Sequence, residues 1–125
     1  MSEKTSEYDE DQALTRYIWN NYMDLMSDTE RLVARVARLR AKANASESTK
    51  MRDTLLERAR ALEDKHVEAA LQDGFEPFRH AVRKRLLKHY PRRIDLNRCP
   101  RCDRIPKTPR AKQCPWCFYS WHSGL

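Results

Sequence analysis

The sequence predicts a mainly α protein: an antiparallel helical hairpin, a third and basic helix, and a small C-terminal module gathered by four cysteines. Three observations carry this. Of 125 residues only 2 are glycine, whereas 34% are charged and 40% hydrophobic, a balance that favours long helices over strands and turns. Apolar residues recur at alternating four- and three-residue spacings through the first two-thirds of the chain. All four cysteines fall in one nineteen-residue stretch, Cys99 to Cys117.

Residues 1–10 are polar and acidic and are expected to be disordered. A helical domain is expected over 11–90. From about Asp11, the positions Ile18, Tyr22, Leu25, Leu32, Val36, Leu39 and Ala43 mark one helical seam, with Thr29 in its single polar slot. The seam predicts a helix over about 11–43. Ser27 followed by Glu30 matches a capping box, so the span is either one long helix or two in succession.

Asn44 to Ser48 reads as a connector. Beyond it Met51, Leu55, Ala59, Leu62 and Ala69 mark a helix over 49–73, ending where Gly74 suits a left-handed cap. A short link between two long helices implies an antiparallel hairpin. The third helix, over 76–90, opens with Pro77 in its first turn, carries Phe78, Val82, Leu86 and His89 on one face, and stops at Pro91. Its other faces hold Arg79, Arg83, Lys84 and Lys88.

The module over 94–125 contains Cys99 and Cys102, eleven intervening residues, then Cys114 and Cys117. Two CxxC turns supply four soft thiolates for one tetrahedral ion, for which zinc is the expected occupant. Eleven residues run about five out and five back, roughly 17 Å each way, so the second pair returns to the first. Pro106 and Pro109 make that excursion short and irregular. The same thiolates would also hold iron, and redox and disulfide uses are the other readings of four cysteines. Disulfides suit a secreted chain, but residues 1–10 carry no apolar signal region, so a cytoplasmic, nucleoid or nuclear location is expected. A redox pair belongs in a βαβ setting, of which there is no pattern here. His122, five residues after Cys117, competes as the fourth ligand in a site of three cysteines and one histidine.

The run CPRCDRIPKTPRAKQCPWCF resembles the short zinc-ribbon module of bacteria and archaea, in which two CPxCG knuckles flank a segment containing Pro and Ala-Lys. The resemblance covers about Asn97 to Trp121 and implies a short β-hairpin with two knuckles and Cys99, Cys102, Cys114 and Cys117 as ligands. It departs from the pattern after each pair, where Asp103 and Phe118 replace glycine. Such modules touch nucleic acid, touch proteins or act as clips, so the likeness leaves function open.

Charge divides the chain. Residues 1–74 hold 12 Lys+Arg against 15 Asp+Glu, and residues 75–125 hold 13 against 3. A cationic field on this scale points to a phosphate backbone, so DNA or RNA is the expected partner. The candidate contacts are Arg83, Lys84, Lys88, Arg92, Arg93, Arg98, Arg101, Arg104, Lys107, Arg110 and Lys112, with Trp116 as a ring for stacking on bases. Of the C-terminal rings Trp116, Phe118, Tyr119 and Trp121, Trp116 is the one least expected to be buried.

An alternative reading makes the hairpin the working part, as in transcription-machinery regulators whose outline this chain resembles: a helical hairpin followed by a four-cysteine zinc site. The inter-pair spacing is shorter here and the tip, Asn44 to Ser48, lacks their acidic signature. The seam also suits pairing of two copies of the chain. No enzyme is expected: there is no glycine-rich phosphate loop and no nucleophile with a base, His66 and His80 belong to no constellation, and four cysteines leave a metal no open position. No apolar stretch approaches bilayer length, so no membrane role is expected.

Overall fold

A computed structural model of the chain describes residues 7–121. Five α-helices make up most of it: α1 Glu10–Asn21, α2 Asp28–Ala45, α3 Thr49–Leu62, α4 Lys65–Ala70 and α5 Phe75–His89, with a 3-10 turn at Met23–Leu25. Among the described residues there are no strands, only an isolated antiparallel bridge between Gln113 and Ser120. No helix among them is long and apolar enough to cross a membrane.

The chain forms two compact units. One is Met26–Val82; the other joins Met1–Leu25 to Arg83–Leu125. Where the sequence suggests a helical domain over 11–90 and a module over 94–125, the units therefore follow a different line. The first helix belongs with the cysteine module. The residues 1–6 of the expected disordered segment lie outside the described residues.

The reason for this division is local. Ser27 leaves the helical region (φ −72°, ψ 164°), its hydroxyl accepts from the Glu30 amide at 3.1 Å, and the Glu30 carboxylate accepts from the Ser27 amide at 2.8 Å. That reciprocal cap starts a new helix, so the seam over 18–43 is cut in two. Ile18, Tyr22 and Leu25 serve one unit, and Leu32, Val36, Leu39 and Ala43 the other.

In the Met26–Val82 unit, α2 and α3 are joined by Ser46, Glu47 and Ser48 and pack on one another. Three residues span at most about 10 Å, so helices packed along their lengths must run antiparallel. Val33, Val36, Ala59 and Val67 form the buried core, with Leu32, Leu39, Leu62 and Phe78 packed against it. The expected helix over 49–73 is broken: Glu63 and Asp64 are extended, and Asp64 caps α4 by accepting from the Val67 amide at 2.9 Å. The break shifts the helical phase, so Val67 is buried while the seam position Ala69 is exposed. Because α2 is covered by both α3 and α4, Val33 is buried as well as the expected Val36. Met51, at the open end of α3, stays exposed. Gly74 closes the segment at φ +100°, the left-handed conformation its position requires.

The cap at Ser27 is testable on its own. Ser27→Ala removes the acceptor for the Glu30 amide and is expected to cost about 1 kcal/mol, whereas Ser27→Gly costs a few tenths. Urea unfolding followed by helical circular dichroism measures both, and equal midpoints for Ser27→Ala and the parent chain would refute the cap as the cause of the break.

Candidate metal centre

The cysteine module is built from two copies of one turn. In the first, the Cys99 amide donates to the Arg104 carbonyl at 2.9 Å and the Asp103 amide to the Cys99 carbonyl at 2.8 Å. In the second, the Cys114 amide donates to the Tyr119 carbonyl and the Phe118 amide to the Cys114 carbonyl, both at 2.9 Å. Each turn aims two amides at its leading sulfur. Arg101 and Cys102 donate to Cys99 Sγ, both at 3.4 Å; Trp116 and Cys117 donate to Cys114 Sγ at 3.3 and 3.4 Å.

The turn also needs a residue in the left-handed region four places after each leading cysteine. Those residues are Asp103 (φ 65°) and Phe118 (φ 66°), the two places where glycine is missing from the motif. Aspartate adopts this conformation with little strain, but phenylalanine bears a steric cost of about 1 kcal/mol or more. The geometry of the turn is thus kept without the residue best suited to it.

The two turns bring all four sulfurs within 4.8 Å of one another. Cys99 Sγ lies 3.6 Å from Cys117 Sγ, and Cys102 Sγ lies 3.6 Å from Cys114 Sγ. Ligand bonds of about 2.3 Å in a tetrahedron separate neighbouring sulfurs by about 3.8 Å, so the cluster fits a four-thiolate metal ion. The short contacts run between turns, and none approaches the covalent S–S length of about 2.05 Å. Cys99 and Cys114 are buried and Cys102 and Cys117 half-buried. Burial works against ionising Cys99, yet the amides of Cys102 and Arg101 bring its thiol down to about 7; burial holds Cys102 up at about 12. A bound cation favours all four thiolates and expels the protons that remain.

No protein-family model, curated protein or solved structure matches the chain.

The scaffold holding this module is α1, a role that sequence reasoning did not assign to it. The Tyr17 hydroxyl donates to the Asp95 carbonyl and accepts from the Asn97 amide at 3.2 Å. The Tyr22 hydroxyl accepts from the Asp95 amide at 3.0 Å, and Asn21 Nδ2 donates to the Lys107 carbonyl at 2.9 Å. Just before α1, the Tyr8 hydroxyl donates to Glu10 at 2.7 Å and accepts from the Ile105 amide at 3.1 Å. Burial first, and for Tyr8 the hydrogen bond to Glu10, push both Tyr8 and Tyr17 up to about 12. The one sequence signal was tyrosine itself: a buried hydroxyl needs a partner, and a helical seam offers none.

The predicted contact residues divide by environment. Arg83 is buried, its side chain donating to Thr15 Oγ1 at 3.2 Å and to Asp11 at 3.4 Å. Arg98 binds Glu10 at 2.6 Å and the Asp103 carbonyl at 2.9 Å, and this pairing holds the Glu10 carboxyl below the usual range. Arg104 is half-buried over the Tyr8 ring, 5.3 Å from its centroid. Lys84, Lys88, Arg92, Arg93, Arg101, Lys107, Arg110 and Lys112 are exposed, and none of these eight forms an ion pair among the described residues. Trp116 is half-buried with an edge-to-face contact to Tyr8, centroids 4.9 Å apart. Phe118 is the most exposed of these rings, at 71%, and Tyr119 is exposed as well. His122 lies outside the described residues.

Two outcomes are expected. Phe118→Gly relieves the left-handed strain and should stabilise the metal-loaded chain by up to about 1 kcal/mol in thermal unfolding, with a smaller gain for Asp103→Gly. Because the folded phenols of Tyr8 and Tyr17 hold their protons to about 12 while unfolded tyrosine ionises near 10, folding free energy is full below about pH 10 and declines as pH rises from there towards 12. Phenolate absorbance during alkaline unfolding should show two tyrosines ionising late, together with loss of structure; all five ionising together near 10 would refute their anchoring.

Proposed function

We propose that this chain is a small zinc-ribbon protein that binds nucleic acid, with the metal shaping a cationic surface and no catalysis at the centre. The observation that carries the reading is the set of eight exposed cations that form no ion pair among the described residues, six of them within residues 92–112. Neighbouring acids draw off Arg83 and Arg98, so the field comes from Lys84, Lys88, Arg92, Arg93, Arg101, Lys107, Arg110 and Lys112. Exposed Lys and Arg side chains are the groups that neutralise phosphates.

Zinc is the ion favoured by four thiolates in a tetrahedron, and a shell of four cysteines leaves no open position for substrate or water. The two matched turns and the bridge from Gln113 to Ser120 support the ribbon reading. Exposed Phe118 and Tyr119, with Arg101 5.8 Å from the Tyr119 ring centroid, add stacking surface beside the charge. The site lies wholly in the unit that α1 and the cysteine module share.

Purified chain is expected to carry one zinc, and Cys102→Ser to lose it, as measured by metal analysis. In titrations with DNA, RNA and an acidic protein, nucleic-acid affinity should fall linearly with salt on logarithmic axes. Replacing both Arg92 and Arg93 with Gln should lower that slope by about 1.5 to 2 if both touch phosphates. Salt-independent binding, or preference for the acidic protein, would refute the reading.

A further inference from the structure

A groove of about 390 Å³ lies between α1 and the cysteine module, inside a single compact unit. Ala13, Arg16 and Tyr17 of α1 face Pro106, Lys107 and Trp116 across it. We infer that this groove seats one unpaired base of a single-stranded nucleic acid, with Arg16 and Lys107 on the adjoining phosphates, an inference that rests on the nucleic-acid reading above.

The walls are already fixed. Tyr17 is buried, 1% exposed, with its hydroxyl engaged by Asp95 and Asn97, so it backs the groove and holds its floor in place, and the accessible ring is that of Trp116. Trp116 is held from two sides: its amide donates to Cys114 Sγ, and its ring meets the Tyr8 ring at 83°. Asn21 grips the Lys107 carbonyl at 2.9 Å and so sets the rim on which the lysine stands. A groove built this way loses little entropy when filled.

Its chemistry selects the occupant. The volume lies in the range of small-ligand sites, and the lining combines the accessible Trp116 ring with prolines. Arg16 and Lys107 are both exposed, and none of the described residues lining the groove is acidic. A flat apolar body carrying negative charge at its edge fits that pattern, and a base with its phosphates has both parts. In a duplex each base is covered on both faces by its neighbours, so only an unpaired base has a ring free to enter. Arg101, Arg110 and Lys112 on the same module are exposed and add positive charge for flanking nucleotides.

The test uses the full metal-loaded chain, a labelled single-stranded oligonucleotide, the same sequence as a duplex, and an acidic peptide containing tryptophan. Trp116→Leu removes the aromatic wall. Ala13→Leu fills the groove from α1, far in sequence from the cysteine turns, and carries the test if Trp116→Leu fails to keep its metal or its circular dichroism. The expected result is tighter binding of the single strand than of the duplex, with about a ten-fold or greater loss in both variants and an unchanged salt slope, because the cations remain. Unchanged single-strand affinity in the variants, or equal affinity for the duplex, overturns the seat while steep salt dependence leaves the nucleic-acid surface standing. Peptide binding that Ala13→Leu abolishes, without an effect on the oligonucleotide, also overturns it and assigns the groove to a protein ligand. If neither nucleic acid binds at low salt, the reading under the proposed function fails and the seat fails with it.

Discussion

The convergence of four sulfurs within 4.8 Å is the constraint on which the C-terminal structure depends. Four neighbouring thiolates repel one another, and in residues 97–121 few apolar groups are fully buried: Cys99, Ile105 and Cys114 are the buried side chains that stand out. A cation at the centre reverses that repulsion and couples its own binding to folding. The amides aimed at Cys99 and Cys114 prepare for the negative charge, and the paired turns fix where the amides point. Phe118 accepts a left-handed backbone in the same turn, which is a measure of how firmly the convergence of the four sulfurs goes with this chain path.

The module does not rest on its cysteine cluster alone. Hydroxyls from Tyr8, Tyr17 and Tyr22 satisfy backbone groups at Ile105, Asp95 and Asn97, so irregular chain that has no ladder of its own finds partners on the first helix. Charge acts in the same direction. The acidic stretch at the start of the chain supplies Glu10 and Asp11 to Arg98 and Arg83, which lowers the repulsion within a very basic segment. What remains exposed is a narrower set of cations, and it is this set, with a groove that Tyr17 backs and the Trp116 ring borders, on which the nucleic-acid proposal stands.

The Met26–Val82 unit follows simpler rules. Side-chain caps at Ser27, Ser48 and Asp64 start its helices, and a small aliphatic cluster closes it. Arg40, which lies on α2 between the buried Val36 and Ala43, is accommodated by an ion pair with Glu63 at the end of α3. Capping decides where each helix restarts, and each restart resets which residues face inward.

The sequence by itself determined the helical character, the capping box at Ser27, the left-handed glycine at Gly74 and the four-cysteine cluster, because each is encoded within a few neighbouring residues. It also located the two positions, Asp103 and Phe118, where the turns demand an unusual backbone. Only the tertiary structure decided that α1 belongs with the cysteine module, that Arg83 and Arg98 are occupied by acids some seventy to ninety residues earlier, and that Phe118 and Tyr119 are more open than Trp116. These depend on contacts between distant segments. Periodicity records which residues are apolar, whereas the partner of a tyrosine hydroxyl or a guanidinium is fixed by where the chain returns.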